Sequence, residues 1–164
     1  MKLFYTDFET PIGKMIAIAN DTELKLLKFH NDKNLEQVLQ ELKFEKTETD
    51  SDILKNLKLQ IKEYFEGKRK NFDIKINPCG SEFQIKVWTS LQEISYGTTS
   101  TYKELARKTC SEKTARAIAN ASGQNKIAII IPCHRLIGSN QKLSGYNAGI
   151  WRKKFLLNLE NDNC

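Results

Sequence analysis

Histidine is scarce in this 164-residue sequence, with His30 and His134 the only two, and no two of its four cysteines form a C-x-x-C pair. Those shortages argue against a structural zinc site. Cys79, Cys110, Cys133 and Cys164 are also spaced unlike a disulfide framework. A lone buried cysteine is ordinarily a small inert hydrophobe, and most of these four are expected to be inert. No apolar run approaches the roughly 20 residues that a bilayer-spanning helix needs. The opening stretch, residues 1–14, has too short an apolar run for a secretory signal and is interrupted by Asp7 and Glu9. A cytoplasmic protein with no membrane partner is the expectation.

With 40% hydrophobic and 28% charged residues, the composition is that of an ordinary globular chain. The length suffices for one domain or two small ones with a real core. Lys and Arg outnumber Asp and Glu by 26 to 20, a net charge of +6. That excess mildly favours an anionic partner such as nucleic acid.

Patterning divides the chain near residue 76. In 1–76, residues 2–7 and 14–19 read as strands around the Thr10-Pro11-Ile12-Gly13 turn, and 23–30 as a third strand. Apolar residues at three- and four-residue spacing then mark amphipathic helices over 34–42 and 53–65. This half carries no catalytic constellation, and His30 reads as an ordinary structural or surface histidine.

Residues 77–164 are mostly helical and richer in signal. A helix is expected over 81–94, with Ser81 as N-cap, one face bearing Phe83, Val87, Trp88 and Leu91, and Gly97 as its stop. Thr101 and Glu104 form a capping-box pattern opening a helix over 102–107. Ser111 is placed to open the next, over 112–121. Joined by Lys108-Thr109-Cys110, the two make a helix-turn-helix candidate. The second is mostly small residues with Arg116 in its middle; small residues permit close approach to another surface, and an arginine reaches into a groove. The run Ile127-Ala128-Ile129-Ile130-Ile131 reads as a buried strand or extended segment. It delivers Pro132-Cys133-His134-Arg135, in which proline stiffens the backbone. Positive charge or a partner base lowers a thiol's pKa, and His134 and Arg135 stand next to Cys133. Neighbours on an extended segment point to opposite faces, so a Cys133–His134 contact requires a tight turn. Residues 144–149 read as a flexible loop, and 150–160 as a helix whose apolar face carries Trp151, Phe155, Leu156 and Leu159.

Taken together, these stretches resemble the O6-alkylguanine-DNA alkyltransferases. The hallmark is Ile131-Pro132-Cys133-His134-Arg135-Leu136-Ile137-Gly138. Supporting it are Phe83-Gln84 with Val87-Trp88, Tyr96-Gly97 with Thr101-Tyr102 and Leu105-Ala106, Arg116 to Ala119 with Ala121, and Gly145-Tyr146 with Gly149, Lys153 and Glu160. The resemblance implies an α+β fold. Residues 1–76 would be a ribonuclease H-like domain with a small antiparallel sheet and helices. Residues 77–164 would be a mostly helical domain with the helix-turn-helix and a short β element bearing the active cysteine.

By the same resemblance, Cys133 matches the alkyl acceptor and His134 the base that takes its proton through water. Glu160 matches the carboxylate that holds the histidine's tautomer, as in hydrolase triads. Asn125 matches the residue tying the helix-turn-helix to the active turn. Tyr102 matches a tyrosine that crowds the target phosphate and serves guanine N3, and Arg116 the finger that fills the base stack after flipping. Ala117, Ala121 and Ser122 would let the helix fit a minor groove, while Leu136, Tyr146, Asn147 and Ala148 would line the base pocket. The implied partner is double-stranded DNA carrying O6-alkylguanine, bound with little sequence preference. The protein would act once, as a monomer, with neither cofactor nor metal. Lys126 stands where the family usually has proline, and Ala128 and Ala148 occupy variable pocket positions. Two other readings are a lesion-binding relative that lacks the acceptor cysteine and a sequence-specific helix-turn-helix regulator. The first is opposed by Cys133; the second leaves Cys133, Asn125 and Glu160 without a purpose.

Overall fold

The computed structural model describes residues 2–43, 47–109, 114–143 and 145–164, in two compact units that meet at Cys79 and Gly80. In the first unit, β1 (Phe4–Thr10), β2 (Gly13–Ala19) and β3 (Leu24–Phe29) form an antiparallel meander. The first turn is closed by Thr10, whose hydroxyl donates to the Gly13 carbonyl at 2.6 Å and accepts from the Ile12 amide. Asn20 does the same for the second, its side-chain oxygen accepting from the Thr22 and Glu23 amides. A short β4 (Thr47–Glu48) adds parallel to β1, giving the order β3-β2-β1-β4.

The five residues 15–19 of β2 are all buried, so both faces of this central strand are covered. On one face, Ile16, Ile18 and Leu26 pack with Leu3 against Leu35 and Val38 of α1 (Leu35–Leu42). The longer α2 (Asp52–Phe65) lies against β1 and β2, burying Leu54, Leu57, Ile61 and Tyr64. His30, just after β3, pairs through Nε2 with Asp7 in the middle of β1 at 2.6 Å, a partly exposed contact across β2. Residues 75–77 stay with this unit because Leu24 bonds the Lys75 carbonyl and the Asn77 amide, each at 2.9 Å.

The second unit opens with α3 (Glu82–Leu91), capped by a reciprocal pair: the Gln84 amide donates to the Ser81 hydroxyl and the Ser81 amide to Gln84 Oε1. Its buried face is Val87, Trp88 and Leu91. The helix stops at Leu91, and residues 92–94 continue as tight turns. The expected capping box at α4 (Tyr102–Thr109) is present, with Glu104 N to Thr101 Oγ1 at 3.1 Å and Thr101 N to Glu104 Oε2 at 3.3 Å. The second helix of the pair, α5, runs Ala115–Gly123. The expected Ser111 cap and Cys110 lie outside the described residues. Both α4 and α5 pack on α3, and the Trp88 indole donates to the Ala121 carbonyl at 2.9 Å.

Two expectations about local structure fail. Residues 127–131 are a chain of turns rather than a strand. Ile130 N bonds the Ala128 carbonyl at 2.8 Å around Ile129, which sits at φ 72°, and Ile131 N returns to the Ile127 carbonyl at 3.0 Å. A β-branched residue at positive φ is strained, so the surrounding contacts must hold it. An apolar composition reports burial, and burial alone does not distinguish extended from turned backbone. Cys133 then lies in a 3-10 turn (Cys133–Arg135) that runs into β6 (Leu136–Ile137), paired in parallel with β5 (Ser100–Thr101).

The closing helix α6 (Ile150–Asp162) is turned differently from the expected apolar face. It buries Arg152, Lys153, Leu156 and Glu160, while Trp151 is 56% and Phe155 38% exposed. Apolar periodicity failed here because the inward side is charged. Among the described residues no helix is long and apolar enough to cross a membrane.

Candidate active site

The route into Cys133 is built by two consecutive three-residue turns. After the Ile129 turn, the Cys133 amide donates to the Ile131 carbonyl at 2.8 Å across Pro132, at φ −83° and ψ 63°. That is the low-energy form of such a turn, and the proline ring presets its φ. The tight turn that sequence spacing required is therefore present.

Asn125, just past the end of α5 and 4% exposed, clamps this turn at both ends. Its Oδ1 accepts from Ile127 N at 2.9 Å; its Nδ2 donates to the Ile131 carbonyl at 2.8 Å and to Cys133 Sγ at 3.2 Å. A donor aimed at sulfur stabilises the thiolate relative to the thiol. The same residue joins the helix-turn-helix to the thiol, and Lys126 following it does not disturb these bonds.

The side chains after Cys133 turn inward. His134 is fully buried, and its Nε2 meets Glu160 Oε2 at 2.7 Å. Arg135 grips the same carboxylate through Nε at 2.8 Å and Nη2 at 3.0 Å, and its Nη1 donates to the Ile94 carbonyl. A fourth donor, the Gly97 amide, reaches Glu160 Oε1 at 3.3 Å. Gly97 is required there. Its φ is +76°, and an added Cβ would stand 2.7 Å from the Cys164 Cβ.

Two chemical consequences follow. With Nε2 donating to the carboxylate, the neutral imidazole keeps its lone pair at Nδ1, and Nδ1 has no hydrogen-bond partner among the described residues. Burial pushes the His134 pKa below its ordinary value, against the pull of Glu160. The ring is thus a neutral base with one open acceptor. Arg135 does not serve Cys133 as a neighbouring cation, because its charge is taken up by Glu160.

Leu136 is fully buried, and Tyr146 and Ala148 are nearly so. The loop that reads as flexible is anchored. Asn147 Nδ2 bonds the Gly123 carbonyl at the end of α5, Gly149 N the Tyr146 carbonyl, and Arg152 Nη1 the Ala148 carbonyl. Ser144 lies outside the described residues. Tyr102 opens α4, and its hydroxyl is 3.8 Å from an ideal Cβ at Gly145. On α5, Arg116 and Ala117 are exposed, whereas Ala121 and Ser122 face inward. Ala119 and Asn120 are the other exposed positions of that helix between Arg116 and Ser122.

Three contributors escaped sequence reasoning. Arg135 was placed beside sulfur instead of on Glu160, the Gly97 amide had no side chain to signal it, and Lys153 was seen only as part of a motif. Lys153 is fully buried, with Nζ 5.8 Å from the Tyr102 ring centroid. A charged residue at 0% exposure is the signal, and apolar periodicity does not show the burial of a charged side chain. Among the described residues no group of three or more His, Cys, Asp or Glu is placed to hold a metal ion. Cys79 and Cys164 are exposed.

Comparison with known proteins covers both units. A family model described as the 6-O-methylguanine DNA methyltransferase ribonuclease-like domain matches residues 3–78, and one described as the DNA binding domain of the same family matches 82–162. The chain is 40% identical over 158 residues to a methylated-DNA–protein-cysteine methyltransferase of Methanosarcina acetivorans, covering 96% of this chain and 98% of that one. It is 35% identical over 160 residues to the constitutive enzyme of that name from Bacillus subtilis, covering 96% and 94%. A crystal structure of the Mycobacterium tuberculosis O6-methylguanine methyltransferase superposes with a TM-score of 0.86 at 33% identity, covering 99% of this chain and 94% of that one. The Mycobacterium protein in complex with DNA gives 0.88 at 33% identity, covering 98% and 94%. With both units matched in order and nearly every residue covered, the chain belongs to the 6-O-methylguanine DNA methyltransferase family.

Proposed function

We propose that this protein repairs O6-alkylguanine in double-stranded DNA by moving the alkyl group onto Cys133, once per molecule. The observation that carries the reading is the Cys133 sulfur held by Asn125 in a rigid double turn beside a buried His134–Glu160 pair with Nδ1 open. In this scheme the thiol proton passes, through water, to Nδ1, and Glu160 stabilises the imidazolium that results. Sulfur attacks the alkyl carbon, the S–C bond forms as the C–O6 bond breaks, and guanine leaves with the electron pair. Tyr102 supplies a proton at the base edge. The product is a thioether, which has no ready leaving group, so the site is not regenerated.

Such an attack needs the base outside the stack, at a cost of a few kcal/mol. Arg116, exposed in the first turn of α5, is suited to fill the gap, with Ala117 allowing close approach to a minor groove. Ala121 and Ser122, buried on the inner side of α5, would act only indirectly, by letting the helix pack closely on its own unit. Leu136, Tyr146, Asn147 and Ala148 would enclose the flipped base. Binding should depend on phosphate contacts and weaken with salt, with little sequence preference. A reactive free thiol also fits a reducing compartment, and we place the protein in the cytoplasm.

The test is mass spectrometry of the protein after incubation with a duplex carrying O6-methylguanine. One methyl on the Cys133 peptide, saturating at one per chain and absent in Cys133→Ser, is expected. Binding to the duplex without any gain of mass would refute the assignment.

A further inference from the structure

Trp151 and Arg152, neighbours in the first turn of α6, take no part in the chemistry above. Trp151 leaves a large ring at the surface, whereas Arg152 is only 4% exposed. Burying a guanidinium is costly unless its donors are used. Here the two side chains meet. The Arg152 guanidinium lies over the Trp151 ring, 4.4 Å from its centroid, and its Nη1 donates to the Ala148 carbonyl at 2.7 Å. The ring also closes on the next residue of the loop, since a Cβ added at Gly149 would stand 3.1 Å from Trp151 Cδ1 and Nε1. Gly149 itself, at φ +103°, turns the chain into α6, and its carbonyl accepts from the Arg152 and Lys153 amides at 3.1 and 3.4 Å. A side chain of the helix thus reaches back to hold the loop that precedes it, with an aromatic ring as cover.

We propose that Arg152, braced by Trp151, is a specificity-determining positioning residue that fixes Ala148 in place and so sets how large an alkyl group the base pocket accepts. The assignment rests on Ala148 lining the pocket of an alkyl transferase. Alanine carries only a methyl group, so the place of that wall is set by the backbone bearing it. A bond from a planar, charged guanidinium is short and directional, and the ring face against it restrains its rotation. The other bonds of the loop, from Asn147 Nδ2 to the Gly123 carbonyl and from Gly149 N to the Tyr146 carbonyl, are neutral. Without Arg152 the wall at Ala148 has room to yield. A methyl group gains nothing from that room and a benzyl group does, so release favours the larger group relative to the smaller.

The experiment is single-turnover transfer from duplexes carrying O6-methylguanine or O6-benzylguanine, followed by mass on the Cys133 peptide, with the ratio of benzyl to methyl rate as readout. Arg152→Met should raise that ratio by about tenfold, the scale on which a pocket discriminates one carbon more or less. Trp151→Ala should move it the same way, and Trp151→Phe, which keeps a ring face, should return it towards the original. An arginine that serves stability alone would lower the melting temperature and both rates together, with the ratio in place. An unmoved or lowered ratio in folded Arg152→Met or Trp151→Ala overturns the proposal. Should Arg152→Met not fold, the surface variant Trp151→Ala decides. Should the unmutated chain transfer no benzyl, its appearance on Cys133 in the variants supports the proposal and its continued absence overturns it. Methyl transfer to Cys133 with an unmoved ratio would discard the role of Arg152 alone. Absence of any alkyl group on Cys133 from either duplex would discard the acceptor reading, and this assignment with it.

Discussion

Replacing Glu160 with glutamine tests how much of the site hangs on one carboxylate. Each of its oxygens accepts two donors: Arg135 Nε and the Gly97 amide on Oε1, His134 Nε2 and Arg135 Nη2 on Oε2. Glutamine offers one oxygen and one NH2. Either orientation sets the NH2 against two donors, one of them from Arg135. If the NH2 faces His134, the ring must turn its lone pair to Nε2 and carry its proton on Nδ1, which removes the open acceptor. Loss of a positioned base lowers rate by roughly 10²–10⁴-fold. Removing one partner of a buried ion pair costs about 3–5 kcal/mol. Rapid-quench single-turnover transfer from an O6-methylguanine duplex measures the first, at a temperature where urea titration shows the variant folded; the same titration measures the second. A Glu160→Gln protein within threefold of the original rate and within about 1 kcal/mol of its stability would refute the account of this carboxylate.

Asn125→Ala leaves the buried Ile127 amide without its partner, takes one of its two donors from the Ile131 carbonyl, which keeps the Cys133 amide, and removes the donor to Cys133 Sγ. At about 1–3 kcal/mol for one orphaned group, a loss of roughly 1–3 kcal/mol is expected by denaturant titration, with slower transfer in whatever fraction remains folded. Lys153→Met should stabilise the protein. Burial holds the folded pKa near 8 against 10.5 in the ordinary lysine. At pH 7 both states of the original chain are charged, and the folded one bears a cost of about 3 kcal/mol. Between pH 8 and 10.5 only the unfolded chain binds the proton, so that cost fades as pH rises. The advantage of methionine should therefore be present at pH 7 and absent near pH 10.5; a gain independent of pH would show that packing, not charge, produced it.

Much of this protein is legible along the chain. The meander of the first unit follows from strand alternation and the Thr10 to Gly13 turn, and the α4 cap follows from Thr101 and Glu104, because these signals are local. The order of Cys133, His134 and Glu160, read with the surrounding motifs, identifies the family. Tertiary structure decided what locality cannot encode. Residues 127–131 looked like a strand because their burial was legible and the positive φ of Ile129, imposed by the Asn125 clamp, was not. The buried face of α6 was misassigned because it is lined by Arg152, Lys153 and Glu160, and periodicity counts apolar residues only. Arg135 beside Cys133 in sequence answers to Glu160 in space, while Lys153, fifty-one residues after Tyr102, sets its ammonium over that ring. Charge in a low-dielectric interior acts on what it touches, and what it touches is determined by the packing of α6 on the turn.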